Sequence, residues 1–149
     1  MKTKFRAWDK DLKQMFRNVN PIFDADGNLD FIIYEYECTG YNMTEIGIEK
    51  WDAYMAHEKG IPVELMQYTG LKDSNGVEIF EGDVLGSPNN KRDNWYVSHH
   101  FVVWRDTGFL AKQICSSGSF IGIDYWTKGR DGYIVIGNIY QNKELLEGE

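Results

Sequence analysis

The chain has 149 residues and a formal charge of −7, from 16 Lys and Arg against 23 Asp and Glu. That length suits one domain, or a small domain with an extension, and is enough to bury a sizeable core. An aromatic share of 15% excludes an acidic disordered chain, and the acidic balance works against phosphate-backbone binding, which needs a basic surface.

The charge is uneven. Residues 1–20 hold Lys2, Lys4, Arg6, Lys10, Lys13 and Arg17 against Asp9 and Asp11, a net of +4, which leaves −11 for the remainder. This start either docks on an acidic surface, its own or a second copy's, or touches nucleic acid through Lys2, Lys4, Arg6 and Lys10; charge balance of this kind acts mainly on solubility and association, which favours the first. The N-terminus lacks the apolar stretch of a signal peptide, and no run approaches the roughly 18 apolar residues of a membrane span. Cys38 and Cys115 have neither CxxC spacing nor a nearby metal-ligand partner and read as reduced thiols. The expectation is a soluble cytoplasmic protein with no membrane partner and no cofactor.

In chain order, Phe5, Ala7, the turn at Asp9-Lys10-Asp11 and Met15-Phe16 predict an opening hairpin. Asp24-Ala25-Asp26-Gly27-Asn28 is a turn cluster, and Leu29 to Glu37 is β-branched and aromatic, hence a strand. Thr44 as N-cap, Ile48, Trp51 and Met55 on one helical face, and Gly60 with Pro62 as terminators predict a helix over 45–59, although Gly47 weakens its first turn.

Residues 65–84 read as strand, turn, strand, turn, strand. Asn75-Gly76 is a strong hairpin signal because both residues tolerate positive φ, and Glu81-Gly82-Asp83 is a second reversal. After a polar loop, Trp95 to Trp104 reads as a long strand with Trp95, Val97, His99, Phe101 and Val103 on one face and Tyr96, Ser98, His100, Val102 and Trp104 on the other. Arg105-Asp106-Thr107-Gly108 turns the chain into a strand at Phe109 to Cys115. Phe120 to Trp126 and Tyr133 to Ile139 are two further strands, and Lys143 to Leu146 is a short helical turn.

Three segments stand out in order: Lys4-Phe5-Arg6-Ala7-Trp8-Asp9; Leu65 to Asp73 with Asn75-Gly76 and Ile79-Phe80-Glu81-Gly82-Asp83; and Val135-Ile136-Gly137-Asn138-Ile139-Tyr140 with Glu144-Leu145-Leu146. Together they resemble the YopX family of bacteriophage and prophage proteins. The stretch from Gly40 to Ile61 is longer than the family pattern. The resemblance implies a phage or prophage protein in a bacterial cytoplasm, an SH3-like β-barrel in the second half, and no catalytic residues to carry over. The expected fold is mainly β, α+β overall. One YopX-like unit over 1–149 comprises an N-terminal β-rich extension with one helix at 1–62 and an SH3-like barrel or roll at 63–149.

Four groups of residues invite a chemical reading. Asp106-Thr107-Gly108 matches the aspartic-protease tripeptide, but Arg105 and Phe109 flank it poorly, and a hairpin turn explains it better. His99 and His100 point to opposite faces of a regular strand and cannot share one metal ion. His57-Glu58 suits the negative end of the predicted helix. Glu78, Glu81 and Asp83 form an acidic cluster whose turn setting favours exposure, with Asp83 capping backbone amides.

The aromatics Trp95, Tyr96, Phe101, Trp104, Tyr125 and Trp126 could stack bases if basic residues lined them, but only Lys91, Arg92 and Arg105 flank these strands. Core packing plus a protein interface fits the set better, with Trp95, Tyr96, Trp104, Tyr125 and Trp126 as the candidate surface. The expectation is therefore a non-catalytic module that binds a host or phage protein and self-associates, with nucleic-acid binding as the alternative.

Overall fold

A computed structural model of the chain describes residues 3–38, 43–50, 63–87, 99–114, 119–128 and 132–146. Runs of β-branched and aromatic residues, punctuated by Gly, Asn and Asp, make the fold mostly β, with two antiparallel sheets. The backbone divides into two compact units, Lys2–Gln67 and Tyr68–Glu149.

The first unit holds β1 (Phe5–Asp9), β2 (Gln14–Phe23), β3 (Leu29–Cys38), β4 (Met43–Lys50) and the first half of β5 (Val63–Lys72), in the order β4-β3-β2-β1-β5. Its reversals are made locally. Asp9 Oδ1 accepts the N–H groups of Asp11 and Leu12, and Asp24 Oδ1 accepts those of Asp26 and Asn28 beside Gly27 at φ +84°. Ala7, Phe16, Val19, Ile32 and Val63 form its core, with the Phe16 and Tyr34 rings stacked 4.0 Å apart.

The predicted helix over 45–59 is corrected here: residues 43–50 form β4 instead. This strand pairs residue by residue with β3, from Phe31 opposite Lys50 to Cys38 opposite Met43. Ile46 and Ile48 alternate with Glu45, Gly47 and Glu49, a period of two that the helical reading passed over. β3 offers a ladder to that segment, whereas Gly47 costs a helix about 1 kcal/mol. Residues 51–59 lie outside the described residues.

The second unit holds the second half of β5, then β6 (Glu78–Phe80), β7 (Asp83–Gly86), β8 (His100–Arg105), β9 (Gly108–Gln113), β10 (Phe120–Ile121), α1 (Ile123–Thr127), β11 (Ile134–Asn138) and a 3-10 turn at Lys143–Leu146. Five of these strands run in the order β10-β9-β8-β7-β11. Ile79, Leu85, Val102, Ala111, Ile123 and Tyr133 are the buried core.

The division falls inside β5, because Val63–Gln67 pair with β1 and Tyr68–Lys72 with β6. The strand expected over Phe120 to Trp126 is also corrected: it stops at Ile121, and Gly122 leads into α1. Burial of Ile123 and Thr127, one helical turn apart, together with the Thr127 hydroxyl donating to the Ile123 carbonyl and the Lys128–Asp124 ion pair, closes that turn. Of the strand expected over Trp95 to Trp104, the part from His100 onward is β8, and 95–98 lie outside the described residues.

Candidate functional site

Within the second unit, residues of the segments that carry the family resemblance hold the turns and bulges in place. Between Tyr68 and Lys72 the β5–β6 register slips, leaving a bulge at Gly70, φ +86°. The Thr69 hydroxyl closes that bulge by donating to the Ile79 carbonyl at 2.8 Å and accepting from the Leu71 N–H. Buried Asp73 accepts the N–H groups of Asn75 and Val77 on Oδ1 and that of Val135 on Oδ2, each at 2.9 Å. Buried Asp83 accepts the Phe80 N–H at 2.8 Å. Gly82 donates to the Val102 carbonyl and accepts from the Ile139 N–H. Asn138 Oδ1 accepts the N–H groups of Tyr140 and Gln141. In these hydrogen bonds the motif's polar atoms serve backbone geometry.

The other face of the five-stranded sheet carries a different feature. Gly137, Val84, Phe101, Lys112 and Phe120 stand opposite one another across β11, β7, β8, β9 and β10, so they form one row on one face. The alternate positions Leu85, Val102 and Ala111 face the core. At the Gly137 end the row is covered by the C-terminal turn: a Cβ at Gly137 would meet Asn142 Oδ1 at 2.5 Å and Leu145 Cδ1 at 2.9 Å. Val84, next in the row, is fully buried.

Toward β10 the face opens. Phe101, Val103, Leu110 and Lys112 are half-buried, and Phe120 is 37% exposed. Lys112 Nζ lies 5.7 Å from the Phe101 ring centroid and 5.6 Å from that of Phe120, and Arg105 Cζ sits 3.9 Å over the Phe120 ring. Both cations are thus steered by ring quadrupoles over an apolar strip. Among the described residues no carboxylate pairs with Lys112. Arg105 Nε lies 4.0 Å from the exposed Asp106 carboxylate.

The sequence-predicted residues fall around this strip unevenly. Trp104, next to last in β8 and on the face opposite Phe101 and Val103, is 52% exposed, its ring edge-on to Phe109 at 4.8 Å. Tyr125 is exposed on α1, followed there by Trp126, and Trp95 and Tyr96 lie outside the described residues. Of the basic set, Lys2 lies outside the described residues, Lys4 is exposed ahead of β1, Arg6 is 5% exposed, and Lys10 pairs with Glu64 at 2.7 Å.

Asp106 adopts φ +55° in the two-residue turn between β8 and β9, the hairpin role. His100 is buried edge-on to Tyr133, and His99 precedes the strand. Glu78 and Glu81 are half-buried, and His57-Glu58 lies outside the described residues. Among the described residues no three His, Cys, Asp or Glu side chains could hold a metal ion together, and no helix is long and apolar enough to cross a membrane.

Sequence reasoning passed over Phe120, Lys112 and Leu110 as site residues. Part of the signal was present, since a two-residue turn at Asp106-Thr107 places Phe101 opposite Lys112 by counting back along the hairpin.

Residues 4–147, nearly the whole chain, match the family model described as "YopX protein". Among solved structures the chain is similar to "Crystal structure of protein EF1440 from Enterococcus faecalis", at 37% sequence identity and a TM-score of 0.69, covering 99% of this chain and 99% of that one. A comparison with curated proteins finds no match.

Proposed function

Starting from the fact that the chain belongs to the YopX family, we propose that it is a non-catalytic interaction module. In this reading it is an accessory protein of phage or prophage origin, its second half an SH3-like roll of short antiparallel strands, which binds a host or phage protein in a bacterial cytoplasm. The observation that carries the reading is the open strip on β8–β10, where half-buried aromatics and aliphatics are bordered by Arg105 and Lys112. Aromatics and Arg are the residues that protein interfaces enrich and that concentrate binding energy. The engagement of Thr69, Asp73 and Asp83 in backbone hydrogen bonds is further support, because polar groups occupied in this way are poorly placed for chemistry.

Nucleic-acid binding through the basic start has weaker support. Arg6 is buried, which removes one of the four phosphate contacts that reading relied on, and Lys10 already has Glu64 as a surface partner. The test is affinity capture of the tagged protein from bacterial lysate, with and without nuclease, at low and high salt. A stoichiometric protein partner that survives nuclease and salt is the expected result. Capture that vanishes with nuclease and high salt would overturn it in favour of nucleic acid.

A further inference from the structure

We infer that the strip of Phe101, Val103, Leu110, Phe120, Arg105 and Lys112 docks a protein segment bearing carboxylates among apolar side chains. The inference rests on the reading of the chain as a protein-binding module and adds the chemistry of the segment that docks on this strip. The row across the sheet is covered at Gly137 by the chain's own C-terminal turn, is buried at Val84, and is partly exposed at its Phe101–Lys112–Phe120 end. The open end is a strip of partly exposed apolar surface, which interfaces use as their core.

Charge complementarity chooses the occupant. Arg105 Cζ lies 3.9 Å from the Phe120 ring centroid, its Nε reaches the exposed Asp106 only at 4.0 Å, and a guanidinium offers a fork of donors that matches a planar carboxylate. Lys112, drawn between two rings, has no carboxylate partner among the described residues. A partner side chain that covers the strip also removes water from both cations, and a carboxylate on the same segment compensates that loss.

A polynucleotide is the poorer fit to the same cations. It brings a phosphate with every nucleotide against a chain of net charge −7, whereas a peptide brings one or two carboxylates and offers aliphatic side chains to Val103 and Leu110.

The test is selection of a displayed library of random short peptides on the immobilised full-length protein, followed by titration of the enriched peptides. Lys112→Glu, Arg105→Glu and the milder Lys112→Gln are titrated beside the wild type, with circular dichroism confirming that each is folded. Enrichment of peptides combining Asp or Glu with aliphatic or aromatic residues is expected, with affinity falling roughly tenfold or more in the Glu variants and less in Lys112→Gln. Enriched peptides that are basic or uncharged, that bind the variants as well as the wild type, or that do not emerge at all would overturn the inference.

Because the lysate capture is read separately, a partner retained there by both wild type and variants leaves the module reading standing while this site falls. Binding of single-stranded oligothymidylate that is lost in the same variants would overturn both.

Discussion

Asp73 and Val135 lie 62 residues apart in the chain, and Oδ2 of the first accepts the backbone N–H of the second at 2.9 Å. The other carboxylate oxygen of Asp73 organises the Asn75-Gly76 turn through the N–H groups of Asn75 and Val77. One buried side chain therefore ties the hairpin between β5 and β6 to the last strand. Ser74 adds a second tie, donating its hydroxyl to the Gly132 carbonyl at 2.6 Å.

Replacing Asp73 by Ala removes the acceptor of three part-buried backbone hydrogen bonds, from Asn75, Val77 and Val135. Hydrogen bonds to charged groups contribute about 1.5–3 kcal/mol each and are not additive, so a loss of about 3–5 kcal/mol is expected in urea unfolding. Asp73→Asn keeps one acceptor oxygen for the turn and presents an NH₂ to the Val135 N–H, so it should cost less than Ala but remain clearly destabilising. Equal stability of wild type and Asp73→Ala would contradict the clamp.

Two glycine substitutions should fail for different reasons. Gly76 sits at φ +82° with open space around its missing Cβ, so Gly76→Ala carries backbone strain alone, about 1 kcal/mol. At Gly137 a Cβ would strike Asn142 and Leu145, so Gly137→Ala should displace the C-terminal turn. Hydrogen exchange at the Leu145 N–H, which donates to the Asn142 carbonyl, should accelerate in Gly137→Ala and not in Gly76→Ala.

Asn138 is a cap built from one side chain. Its Oδ1 accepts two N–H groups, and its Nδ2 donates to Gln141 Oε1 at 2.8 Å. Asn138→Ala is expected to destabilise by about 2 kcal/mol, and Asn138→Asp by less, since it keeps both acceptor bonds and loses only the donation. Thermal unfolding of the two variants should rank them in that order, and the reverse ranking would assign the larger role to Nδ2.

Core and strip should separate cleanly in stability measurements. Leu85 is fully buried, so Leu85→Ala should cost about 2–5 kcal/mol through lost burial and a residual cavity. Lys112→Glu removes a cation–π contact at a partly exposed position and should stay within about 1 kcal/mol of wild type. If Lys112→Glu unfolds the protein as readily as Leu85→Ala does, the strip is part of the folding core and not a surface held open.

Much of the fold was legible in the amino-acid order because it is set by preferences acting within a few residues. Asp24 to Asn28, Asn75-Gly76 and Glu81-Gly82-Asp83 are turns wherever they occur, since Gly and Asn accept positive φ and Asp caps nearby N–H groups. Family membership was legible too, because its signature is a set of short local segments in a fixed order, the middle one of which contains the Asn75-Gly76 and Glu81-Gly82-Asp83 turns.

What lies between was settled by partners distant in sequence. Residues 43–50 satisfy a helix start and a strand alternation about equally, and the ladder along β3 decided for the strand. Ile123 to Thr127 reads as strand by composition, and burial of Ile123 and Thr127 made it a helical turn.

The strip belongs wholly to this second class. Phe101 and Lys112 can be placed opposite each other from the hairpin turn between them, but Phe120 joins them only because β10 pairs with β9. Periodicity along a strand says which residues share a face. Which faces of different strands meet depends on register between segments far apart in the chain, and only the tertiary structure supplies it.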